Sequence, residues 1–198
     1  MKEIIIATKN KGKAAEFKQI LEPYGITTQT LLDFLGDMPD VEETGSTFTE
    51  NARLKAEQIA DFLQKPVIAD DSGLAIDYLA GRPGVYSARY AGEPTNDLLN
   101  NEKVLKEMAG IPREERTARF ICVLAFAVPG KPTIFKEGMC EGWITTTVRG
   151  ANGFGYDPIF VPEGNDVTMA ELNETEKNTI SHRYHALLAF QEWLNKQQ

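Results

Sequence analysis

The chain has 198 residues, 42% hydrophobic and 25% charged, the balance of an ordinary soluble globular protein and enough for one large domain or two closely joined lobes. Its 29 acidic residues outnumber 21 lysines and arginines, giving a formal charge of −8; this excludes the broad basic face that nucleic acids and anionic membranes require. No apolar run approaches the roughly 20 residues of a membrane span, the N-terminus has no signal-peptide profile, and Cys122 and Cys140 lack metal-ligand spacing, so a cytoplasmic protein with reduced thiols is expected.

The elements follow in chain order. The β-branched run at 3–7 predicts a buried strand, and Asn10 is placed to cap a helix reaching Leu21 with Ala14, Phe17, Ile20 and Leu21 on its apolar stripe. Pro23 and Gly25 stop it, and residues 26–30 predict a second strand. Asp37 to Ser46 is acidic and turn-rich, hence loop. Thr47 and Glu50 have capping-box spacing before the stripe Ala52, Ala56, Ile59, Ala60 and Leu63. Val67 to Ala69 predicts a short strand broken by Asp70-Asp71-Ser72-Gly73, with another from Leu74 to Leu79. A Gly- and Pro-rich loop at 81–94 leads to a helix opened by Thr95 and reaching about Ala109. Residues 117–129 predict a long alternating strand and 133–148 one or two more. A short strand is expected at Pro158 to Val161, and Ser181 caps a last helix with Leu187, Leu188 and Leu194 facing inward. Early alternation of helix and strand with a strand-rich middle predicts an α/β fold with a mixed sheet.

Three lysines sit where the first strand becomes a helix. The N-terminus of a helix presents unpaired N–H groups and the positive end of its dipole, so Lys9, Lys11 and Lys13 there add to a potential that suits an anion. Thr8 and Asn10 add donors; the Walker pattern GxxxxGK[ST] is absent. A solvated lysine cluster is the plain alternative. Asp70-Asp71 at the end of a strand and Glu42-Glu43 in the loop before the capped helix offer hard oxygen ligands of the kind Mg²⁺ takes with substrate phosphates, although Asp-Ser-Gly is also common turn chemistry. Asn51 and Lys55, four apart, share a helix face away from the apolar stripe, for which a solvated surface is the default. In Gly150 to Asp157 the glycines run GxxGxG and no helix follows, which excludes a dinucleotide fingerprint. Glycines around Phe154 leave room for a base to stack on its ring, or for a core phenylalanine in a tight loop. His182 has no partner at zinc-site spacing.

Taken in order, ATKNKGKAAEF, EETGSTFTENARLKA, ADDSGLAID, PGVYSARYAG, GANGFGYDPIF and KNTISHR resemble the inosine triphosphate pyrophosphatase family over about residues 4–190. That resemblance implies Mg²⁺-dependent hydrolysis of the purine nucleoside triphosphates dITP, ITP and XTP to monophosphate and pyrophosphate. It implies an elongated mixed β-sheet flanked by helices, two lobes with a central cleft within a single domain spanning 1–198, and a homodimer. Carried over by motif, Thr8, Lys9, Asn10, Lys11, Gly12 and Lys13 hold the triphosphate, with Lys9 standing where the family often has Gly or Asn. Glu42 and Asp71 bind the metal, Asp71 also accepts the proton of the attacking water, Lys55 faces the phosphates with Asn51 supporting it, and Ser72 touches them. Phe154 stacks on the purine beside Gly155, Tyr156 and Asp157, and Lys177, His182 and Arg183 complete the base pocket. A pyrophosphatase of the Maf type acting on modified or standard pyrimidine nucleotides, which a substrate panel separates, and a non-catalytic nucleotide sensor, which would bind nucleotide without Mg²⁺-dependent hydrolysis, remain the alternatives.

Overall fold

The computed structural model describes residues 3–34 and 38–196. Among these residues six strands form one mixed sheet: β1 (Glu3–Ile6), β2 (Thr27–Thr30), β3 (Val67–Ile76), β4 (Thr117–Ala127), β5 (Ile134–Ile144) and β6 (Phe160–Pro162), in the order β2-β1-β3-β4-β5-β6. β1 runs parallel to both β2 and β3, while β5 and β6 are antiparallel, with Trp143 opposite Val161. Among the described residues five helices accompany it: α1 (Lys11–Leu21), α2 (Phe48–Leu63), α3 (Asp97–Glu107), α4 (Glu174–Ile180) and α5 (His182–Asn195).

The chain divides into two compact units. The first comprises residues 1–71, 122–138 and 183–198, and the second 72–121 and 139–182. Each has its own core. In the first, Ile4 and Ile6 of β1 pack with Phe17, Ile20 and Leu21 of α1, Ile68 of β3, Leu124 and Phe126 of β4, and Leu187 and Phe190 of α5. Ile4, Ile5 and Ile6 are all buried, because a strand covered on both faces needs an unbroken apolar run rather than alternation. In the second, Leu74, Ile76, Val104, Met108, Phe120, Ile144, Ile159 and Phe160 close around each other. Buried Arg116 is held there by the carbonyls of Met108 and Ile144, each at 2.6 Å.

Most local signals act as their chemistry predicts. The Asn10 side chain accepts the Lys13 N–H at 3.0 Å, Gly25 takes φ +69° at the stop after α1, and Thr47 with Glu50 forms the full capping box of α2. The first differences lie in the loops. The cap of α3 is Asn96 rather than Thr95, since the Asn96 carboxamide accepts the Leu99 N–H. The expected strand at Pro158 is a turn of 3₁₀ helix, Asp157–Ile159, before β6. A short helix, α4, was not anticipated, and Ser181 stands between it and α5. Asp37 lies outside the described residues.

The largest difference is β3. It runs unbroken through Asp70-Asp71-Ser72-Gly73 as ten residues, nine of them buried. Two adjacent acids normally interrupt a buried strand. Here successive side chains point to opposite faces, so the pair is split: Asp70 meets Lys13 and Arg183, and Asp71 meets Asn51 and Lys55. With each carboxylate paired, the strand can continue.

Candidate active site

In the first unit, α2 and β3 bring together the residues with the most chemical potential. Asn51 is fully buried and donates through Nδ2 to Asp71 Oδ2 at 3.1 Å. Lys55 lies one turn on, its ammonium 2.7 Å from Glu43 and 3.5 Å from Asp71. The polar face of α2 is therefore turned inward, against the solvated surface expected from the stripe alone. Gly45 fits beneath it: its N–H donates to Asn51 Oδ1 at 2.7 Å.

The electrostatics of the two neighbouring acids diverge. Burial pushes the Asp71 carboxyl up, Glu43 adds to this, and Lys55, Lys13 and Asn51 offset only part of it. Asp70 is more deeply buried, yet Lys13 at 2.9 Å and Arg183 at 3.2 Å overcome burial and hold it far below the usual carboxylate range. Neighbouring acids driven in opposite directions are the pattern of one structural and one reactive group. Burial alone would lower the Lys55 pKa; Asp71, Asp70 and Glu43 outweigh it, so Lys55 stays a cation.

The opening segment is placed as follows. Thr8 is buried and its hydroxyl accepts the Asn10 N–H. Lys9 and Lys11 are exposed, with Lys9 paired to Asp40 at 3.0 Å, and Gly12 is half-buried in the first turn of α1. That turn carries no acid. Of the two loop acids, Glu43 is the one bound to Lys55; Glu42 is exposed, and among the described residues its carboxylate has no ion-pair partner. Arg183 also belongs to the first unit, where it is 1% exposed, ion-paired to Glu16 and Asp70 and set over the Phe17 ring. Glu16 stands within ATKNKGKAAEF, where the resemblance assigns it no role; its burial and its pairing with Arg183 show only in three dimensions.

In the second unit, a tight loop gathers Gly153, Phe154, Gly155, Tyr156 and Asp157. The buried Asp157 carboxylate accepts the Phe154 N–H at 2.9 Å and the Lys177 ammonium at 2.6 Å, and that ammonium lies 4.7 Å from the centre of the Phe154 ring. Tyr156 is a framework residue, its hydroxyl donating to the Ser87 carbonyl at 2.7 Å. His182 is buried with its ring stacked on Phe120, the centroids 4.8 Å apart. Ser72 is half-buried on β3. Gly153 has φ +75°, and a Cβ there would lie 2.1 Å from Asp157 Oδ2 and 3.2 Å from Lys177 Nζ. A Gly153→Ala variant is expected to lose about 2 kcal/mol or more in denaturant unfolding, from left-handed strain and a displaced carboxylate; stability within about 0.5 kcal/mol of the parent would contradict this packing.

A groove of about 860 Å³ in the same unit, bordered by Asp77, Arg119, Glu141 and Trp143, contains none of these residues. Its Arg119 is held by Asp77 and Glu141, each at 3.0 Å.

Comparison with known proteins agrees with the motif order. The Ham1 family model matches residues 4–193. A protein of Oceanobacillus iheyensis named dITP/XTP pyrophosphatase is 60% identical over 195 residues, covering 98% of this chain and 99% of that protein. One of Bacillus subtilis with the same name is 58% identical over 187 residues, 94% of each. The solved Staphylococcus aureus Ham1 protein superposes with a TM-score of 0.87 at 45% identity, covering all of both chains. The chain belongs to the Ham1 family.

Proposed function

We propose that this protein is a Mg²⁺-dependent pyrophosphatase that hydrolyses dITP, ITP and XTP to the monophosphate and pyrophosphate, clearing non-standard purines from the nucleotide pool. The observation that carries this reading is Asp71: a buried carboxylate of raised proton affinity, braced by Asn51 and facing the Lys55 cation. The names of the Oceanobacillus and Bacillus relatives support the substrate class.

In this reading water attacks the α-phosphorus, Asp71 takes its proton, and the bond to the β-phosphate oxygen breaks, releasing pyrophosphate as one unit. A carboxylate of raised pKa is a better acceptor near neutrality than an ordinary one. Lys55, Lys13 and the first-turn N–H groups of α1 meet charge that develops on the phosphates. Thr8, Lys9, Asn10, Lys11, Gly12 and Ser72 complete that role. Asp71 and Glu42 would be the residues to hold Mg²⁺; carboxylate oxygens suit that ion, and burial and Glu43 make the Asp71 carboxylate costly in a way that a cation would relieve. When bound, the ion supplies charge neutralisation on the phosphates.

Phe154 is assigned to stacking on the purine, with Gly155, Tyr156, Asp157, Lys177 and His182 shaping its surroundings. Donors rewarding the C6 oxygen of hypoxanthine or xanthine leave the adenine amine facing another donor, and hydrogen-bonding pockets reject such analogues strongly. Arg183, enclosed by Glu16 and Asp70, is assigned to holding the start of α5, and with it the adjacent His182. The family resemblance further supports a homodimer in the cytoplasm.

The test is a panel of dITP, XTP, ITP, ATP and dTTP with Mg²⁺, resolving pyrophosphate from orthophosphate. Pyrophosphate from the inosine and xanthosine nucleotides is expected, with kcat/KM about a hundredfold or more above ATP, abolished by EDTA and restored by Mg²⁺. Equal turnover across the panel, or orthophosphate as product, overturns the reading.

A further inference from the structure

We propose that Asp97 and Asn101 of α3 are positioning residues for purine recognition, acting by gripping both sides of the Gly155 peptide and so fixing the ring of Phe154. The proposal rests on the function proposed above.

Gly155 has φ +61° and open space where a Cβ would lie, so no side chain of its own restrains it. Its peptide groups are restrained from α3 instead. The Gly155 N–H donates to Asp97 Oδ2 at 2.7 Å, and its carbonyl accepts from Asn101 Nδ2 at 2.9 Å. The same Asn101 nitrogen donates to the Asp97 carbonyl at 2.8 Å. Two carbonyl acceptors determine which way the Asn101 amide points. Asn101 is only 4% exposed, so it is a rigid post rather than a surface contact.

On the other side of Phe154, Asp157 holds the Phe154 N–H and Lys177. The aromatic residue therefore sits between two clamps, one built within its own loop and one supplied by a helix more than fifty residues earlier. Releasing the α3 clamp lets the ring sample more orientations, and an incoming purine must then pay for ordering it. That cost falls on binding of the base, equally for any purine because stacking accepts every base face, and leaves the Asp71 chemistry alone, so it is read in KM rather than in kcat.

Asp97 is exposed and begins α3, so its replacement leaves both cores intact. The Asp97→Ala variant is expected to show a KM for dITP and XTP raised about 5- to 10-fold, with kcat and the XTP-to-ATP ratio of kcat/KM each within about twofold of the parent. Asp97→Asn keeps an acceptor oxygen and is expected to remain within about twofold. Independently of activity, the Gly155 amide hydrogen is expected to exchange about tenfold faster in Asp97→Ala. An unaltered KM in a folded Asp97→Ala protein overturns the proposal, as does a loss in kcat at constant KM or an Asp97→Asn variant as impaired as Asp97→Ala. A parent enzyme releasing no pyrophosphate from dITP or XTP overturns the functional reading beneath it; a discriminating parent with an unchanged Asp97→Ala variant overturns this proposal alone.

Discussion

An Asp71→Asn variant is expected to lose about a hundredfold or more in kcat while remaining as stable as the parent, or more so. The first half follows from removing the only group assigned to take the proton of the attacking water. The second follows from the sign of its shift. Asp71 has a folded-state pKa above its unfolded value, so at neutral pH its ionised form opposes folding, and that penalty appears as pH rises through the window above the ordinary carboxylate range. A neutral amide of the same shape removes the penalty and can keep a partner in Asn51, while Lys55 retains Glu43 at 2.7 Å. Activity and stability thus move in opposite directions, as expected where a strained group is kept for function. Steady-state kinetics with dITP beside thermal unfolding checks both. Turnover within about tenfold of the parent removes Asp71 from its role, and a large fall in melting temperature shows it to be structural.

Arg183→Met should do the reverse, lowering stability most. Its guanidinium is 1% exposed and lies against Glu16 and Asp70, both buried. Removing one partner from a buried ionic cluster leaves uncompensated charge, at a cost of about 3–5 kcal/mol. For a chain of this size that is a fall of roughly 10 °C in Tm. The Glu16→Gln, Arg183→Met double variant is expected to recover part of it, because one stranded carboxylate has gone. The pH dependence is also determined in sign. Asp70 is held well below its unfolded pKa, so its contribution is complete above pH about 4 and is lost as pH falls below it. The difference between parent and Arg183→Met therefore shrinks on acidification. A single variant within about 1 kcal/mol of the parent at neutral pH contradicts the network. The two variants together assign Asp70 to architecture and Asp71 to chemistry, although they are adjacent in the chain.

Much of the fold was readable from short stretches. Asn10, Thr47 and Glu50 cap their helices because capping is decided within four residues. Ile4 to Ile6 announced a doubly covered strand, and the order of six motifs announced the family. Stop signals were less dependable. Asp70-Asp71-Ser72-Gly73 reads as a break by local propensity, but paired charges on opposite faces keep β3 continuous. The polar face of α2 reads as solvated, yet Asn51 is fully buried, because a residue 20 positions later supplies its partner.

Composition and local pattern settled the class of the chain, most of its helices and strands, and the residue types that bear on an anionic substrate. Three-dimensional packing alone settled which charge meets which. Glu16 lies 167 residues from Arg183, and Asp70 lies 113 from it. Of two consecutive glutamates in one loop, it is Glu43 that binds Lys55. The reason is physical: capping and periodicity are short-range and repeat every few residues, whereas the proton affinity of a carboxylate depends on burial and on charges within a few ångströms, wherever in the chain they originate.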